Sequence, residues 1–210
     1  MDPARAAGTG HDTILGMMSA DRSPGLDFLR ADIPIYTLTF ARQIPPRELL
    51  ARMGADPDSV ALRDETSLHD EYGDTLLDAD EPVVTTGVDG AWTWAWEQGG
   101  MHGLDERILS AVSQGTETVV LHYNEKPMYW FKYAVDGGIH VDFHTLGPLA
   151  PTGLVPAQLE EAMRPLGLAP GRPVPLDSVL PLAENAFGLR VTPAGDGEER
   201  WSANLLPLPE

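Results

Sequence analysis

The chain has 210 residues, no cysteine and a formal net charge of -18. That length suits one main domain with extensions and is enough to bury a substantial core. Without cysteine there are no disulfides, thiolate zinc sites or cysteine nucleophiles. The negative charge repels phosphate backbones and anionic lipid, so neither nucleic acid nor a membrane is an expected partner.

Residues 1–30 are small, polar and punctuated by glycine and proline, and read as a flexible N-terminal segment with at most one short docking helix. They contain no apolar stretch of signal-peptide type, and no later run reaches the ~18 residues of a membrane span. The expectation is a soluble, cytoplasmic protein. Ile35 to Phe40 alternates and is rich in β-formers, predicting a strand, and Pro45 to Met53 predicts a helix closed by Gly54.

From Asp56 to Glu81 the chain carries ten Asp/Glu against the single Arg63. Its apolar residues show no sustained period, which predicts an acidic surface loop. A solubilising loop and a docking surface for a basic partner are both open readings of such a block. For docking, the candidate contact residues are Asp64, Glu65, Asp70, Glu71 and Asp74.

Val83 to Val88 and Trp92 to Glu97, joined through Asp89-Gly90, form a hairpin signal. A three-residue loop would set Val88, Thr86 and Val84 opposite Trp92, Trp94 and Trp96. The alternate tryptophans read as a core-facing stripe, with a stacking platform for a ring ligand as the other reading. A helix follows over Leu104 to Val112. Then Glu117–Tyr123, Met128–Val135 and Ile139–His144 form a β-meander, and helices are expected at Pro156–Leu166 and Leu176–Phe187. The last twenty residues either return as a strand or lie across the surface.

This order lacks the regular β-α alternation of a parallel sheet. The expected class is α+β, with a mostly antiparallel sheet, helices on one face and a Pro-rich helical C-terminal extension. Three segments are expected: the flexible residues 1–30, an α+β domain over 31–148 that includes the acidic loop 56–81, and an extension over 149–210 packed on that domain.

Register in the meander follows from polarity, because a one-residue slip would exchange the faces. Phe131 then faces Leu121 and Phe143, while Tyr133 faces Val141. On the other face His122 lies beside Trp130, Trp130 beside His144, and Lys132 beside Asp142. The candidate ligand-binding residues are therefore His122, Trp130, Lys132, His140, Asp142 and His144. His140, Asp142 and His144 also spell H-x-D-x-H, a possible two-histidine, one-carboxylate metal set. Strand rise places the two histidines ~13 Å apart at the backbone, while a metal takes nitrogen at ~2 Å. No metal and no cofactor are expected.

No G-x-S-x-G, H-E-x-x-H or Walker loop occurs, so no reaction class is assigned. The segments "ELLARMGAD", "GAWTWAWEQGG", "LSAVSQGTE" and "FKYAVDGGIHVDF" together resemble an actinobacterial, streptomycete-type domain family of unknown function over about residues 35–148. The resemblance implies a shared fold and a cytoplasmic bacterial setting, and it brings no activity. It also implies that Trp92 and Glu97 belong to the family pattern, whereas His140, Asp142 and His144 do not recur as a metal triad. The leading reading is a non-enzymatic protein–protein interaction or accessory module, immunity-like in kind. The alternative is a small-ligand binder or metal-assisted enzyme using the His122, Trp130, His144 face.

Overall fold

In a computed structural model of the protein, the residues described are 25, 26, 29, 35–73, 75–76, 82–151, 153–192 and 194–208. The flexible segment expected over residues 1–30 falls almost wholly outside them, as does Asp74.

The strands are β1 (Tyr36–Arg42), β2 (Ala61–Arg63), β3 (Val83–Asp89), β4 (Trp92–Gln98), β5 (Glu117–Asn124), β6 (Met128–Val135), β7 (Gly138–His144) and β8 (Arg200–Asn204). They form one sheet in the order β2-β8-β3-β4-β1-β5-β6-β7, and the pairings are antiparallel throughout. The helices are α1 (Pro46–Arg52), α2 (Glu65–Tyr72), α3 (Glu106–Val112), α4 (Ala157–Met163) and α5 (Val179–Phe187). The class is mixed α+β, as expected from the element order.

The helices cover both faces of the sheet, which corrects the expectation of one. Strand side chains alternate in direction, and β4 is buried from Trp92 through Glu97. Trp92, Trp94 and Trp96 belong to a core with Leu38, Phe40, Phe131, Leu159 of α4 and Leu182 of α5. Ala95 and Ala41 point the other way, against Leu49 and Leu50 of α1 and Met53 just after it. Leu109 of α3 packs on Val120 and Ala134. Small residues on that second face let α1 and α3 approach closely. Leu26 and Leu29 join the tryptophan core, where the Leu26 N–H donates to Glu184 at 2.7 Å.

The β3–β4 register differs by one residue from the expected one. The loop has two residues, Gly90 and Ala91, so Asp89, Gly87 and Thr85 face Trp92, Trp94 and Trp96. Gly90 supplies the φ of +57 that its turn position requires. Gly87 supplies room, because a Cβ there would overlap the Trp94 ring. The tryptophan stripe is core: Trp94 is fully buried, and Trp92 and Trp96 nearly so.

The acidic segment is not simply a loop. It contains β2 and α2, with the Asp64 carboxylate accepting the Ser67 N–H at 2.8 Å as helix cap. Leu68 and Tyr72, one turn apart, pack with Leu76 and Val83. That four-residue spacing after an Asp cap was the available signal. At the other end of the chain, β8 enters the sheet between β2 and β3.

Candidate functional site

Two regions collect the chemically interesting side chains. The first is a lateral row across the second face of the sheet. Backbone pairing aligns Glu97 of β4 with Thr37 of β1, Thr37 with His122 of β5, His122 with Trp130 of β6, and Trp130 with His144 of β7. The meander half of this row has the register read from polarity. Its rings lie close, His122 at 5.1 Å and His144 at 6.0 Å from Trp130, centroid to centroid. In the neighbouring row Lys132 and Asp142 form an ion pair at 2.9 Å, with the lysine side chain nearly buried.

His140 leaves this face. A bulge between Tyr133 and Ala134 sets Ala134 opposite Ile139, so Ile139 packs with Val120 and Ala134 on the second face. The His140 ring lies 6.2 Å from Tyr133, which belongs to the tryptophan core. The H-x-D-x-H residues therefore do not share one face, because the extra residue of a bulge inverts the alternation beyond it. Among the described residues, no group of three or more His, Asp or Glu is arranged to hold a metal ion.

Glu97 is the residue the charge pattern did not single out. It is fully buried and accepts backbone N–H groups from His102 at 2.7 Å and Gly103 at 2.9 Å. Those N–H groups open the turn His102–Leu104 that leads into α3. Burial pushes the Glu97 carboxyl up to about 7, against the opposing effect of the two N–H groups. Beside it, Thr37 Oγ1 donates to Gly100 O at 2.7 Å. His122 Nδ1, 2.8 Å from the same hydroxyl, is therefore the donor of that bond. Burial lowers His122 to about 4, so it is neutral, and its Nε2 has no protein partner.

The second region is the acidic surface around α2. Asp64 is committed to capping, and Glu71 pairs with Arg63 at 2.6 Å. The Arg63 hydrogen bond holds Glu71 below the ordinary carboxylate range. The tertiary fold adds a second acidic stretch, the turn containing Asp196 and Glu198, about 130 residues further along the chain. Glu65 is raised, by burial first and then by the like charge of Asp196. Glu65, Asp70 and Asp196 form no ion pair among the described residues. Asp64, Glu65 and Glu198 line a cleft with Arg63, Leu68 and Trp96. Arg200 faces Arg63 across β8 and β2. It also lies 4.9 Å over the Trp94 ring and pairs with Glu198 at 3.2 Å.

Fold and sites together define a mixed α+β protein with a helix-covered antiparallel sheet, one buried polar row and one composite acidic surface. The chain belongs to a family of unknown function, DUF6461, whose model matches residues 27–202. That match runs well past residue 148 and takes in α4, α5 and the start of β8. No curated protein and no solved structure matches the chain. Among the described residues, no helix is long and apolar enough to cross a membrane.

Proposed function

We propose that the chain is a non-enzymatic interaction module, accessory or immunity-like in kind, that receives a basic protein partner on its composite acidic surface. The observation that carries this reading is the composite acidic cleft, lined by Asp64, Glu65 and Glu198 from two distant stretches of the chain, where the charge of Asp196 also bears on Glu65 and neither Glu65 nor Asp196 forms an ion pair among the described residues. Like charges brought together weaken the isolated fold and favour a cationic partner. A cytoplasmic, actinobacterial setting belongs to the same proposal.

The test is affinity capture from the native host at low salt with the wild-type chain and a Glu65→Lys/Asp70→Lys/Asp196→Lys variant. A partner should be retained by the wild type, lost by the variant, and released steeply as salt rises. A partner held equally by both, or held regardless of salt, would refute the reading. The proximity of the His122, Trp130 and His144 rings favours a second reading, a small-ligand site on that row. Trp130→Ala abolishing binding of a ring ligand would support it.

A further inference from the structure

The turn His102–Leu104 is fastened to the sheet at a small number of points. The Glu97 carboxyl takes its first two N–H groups. His102 Nε2 reaches Leu206 O at 3.0 Å, and since a carbonyl only accepts, Nε2 carries the proton. His102 Nδ1 faces Glu97 Oε2 at 3.8 Å. Close packing completes the fastening, because a Cβ on Gly100 would come within 2.7 Å of Glu97 Oε2 and 2.8 Å of Pro82. A Cβ on Gly103 would collide with Thr39.

We infer that Glu97 and this turn form a proton-operated latch over the polar row, in which the neutral carboxyl holds the turn shut and its ionisation favours release of the turn into water. The groups facing Glu97 can be named element by element. β1 offers Thr37, β3 the apolar Val84 opposite, β5 His122 behind Thr37, and the turn His102. Among the described residues no lysine or arginine pairs with Glu97, and what meets the carboxyl there is two backbone N–H groups and the His102 ring. Release hydrates the carboxylate and uncovers Thr37 and Thr39, whose Oγ1 has no protein partner. His122 stays against Trp130.

The sign follows from linkage. The shut form binds the proton up to about pH 7, and the released form only up to the ordinary glutamate range of ~4.3. Opening therefore rises with pH between those values, by on the order of a hundredfold, and is level above them.

Amide hydrogen exchange on the full chain, corrected for intrinsic rates, reads this directly at His102 and Gly103. The expected result is an opening constant that climbs across pH 4.5 to 7 while the Leu121 and Phe131 amides of the meander do not follow. In Glu97→Gln the climb should vanish. A wild-type profile that matches Glu97→Gln, or one that tracks the meander amides, overturns the latch. If the variant does not fold, the carbon-13 shift of the Glu97 carboxyl decides. A midpoint near 7 supports the inference, and one in the ordinary glutamate range ends it.

Discussion

Glu97 and His122 sit one residue apart across β1 and pull stability in opposite directions with pH. Glu97 has its folded value raised to about 7, so the folded state holds the extra proton and its contribution falls as pH rises from the unfolded value to about 7. His122 has its folded value lowered to about 4, so its contribution is full above the unfolded value of ~6.5 and is lost as pH falls toward 4. The two windows overlap and largely cancel in the wild type. Glu97→Gln should uncover a stability that rises with pH between 4 and 6.5, and His122→Asn one that falls over pH 4.5 to 7. Each slope should total on the order of 3 kcal/mol in denaturant midpoints taken across pH. Gly87 offers a second test at this scale. Gly87→Ala places a methyl in the Trp94 ring and should cost about 1–3 kcal/mol. His122 was a candidate from the sequence, whereas neither Glu97 nor Gly87 was singled out for these roles: a glutamate at a strand end and a glycine in a β-rich run acquire them from what lies opposite.

Among the elements, the β-meander was the most legible. Apolar and polar residues alternate there strongly enough to fix the register of Phe131, Lys132 and Trp130, and the structure pairs them with Phe143, Asp142 and His144. The bulge opposite Tyr133 and Ala134 was not legible, because a single inserted residue leaves the sequence pattern on either side intact, and His140 is that extra residue. The Lys132–Asp142 pair gives the test at this scale. Asp142→Asn strands a nearly buried ammonium and should cost about 2 kcal/mol, whereas Lys132→Met, apolar and of similar length, should cost less. Chemical denaturation of the two variants orders them, and equal losses would mean the pair is no more than a surface contact. In α2 the Asp64 cap predicts that Asp64→Ala loses about 1 kcal/mol. The acidic composition of that segment concealed the helix, since the eye reads a charge run as solvated chain.

For the whole molecule, the tryptophan stripe and the C-terminal strand make separate predictions. Trp92, Trp94 and Trp96 are buried, while Trp130 and Trp201 are half-buried. In a Trp130→Phe/Trp201→Phe background the remaining emission should be blue-shifted and resist acrylamide. A red-shifted, readily quenched emission would place the stripe at the surface instead. Deleting residues 195–210 removes β8, which pairs with both β2 and β3. Circular dichroism and denaturation should show loss of cooperative folding. A truncated chain as stable as the full one would mean that the strand contributes little to the sheet.

The sequence by itself determined the α+β class, the meander with its register as far as the bulge, the burial of the tryptophan stripe and the helices of the C-terminal third. These follow from short-range periodicity and turn residues, which act within a few positions along the chain. Only the tertiary structure decided that helices cover both faces, that β8 enters the sheet between β2 and β3, and that Glu65 and Glu198 line one cleft. It alone also decided that Glu97 is sealed beneath the turn beginning at His102. The first three depend on contacts between segments far apart in sequence, whose partners no local pattern specifies, whereas Glu97 meets a turn five residues on and it is the surrounding sheet that buries it there.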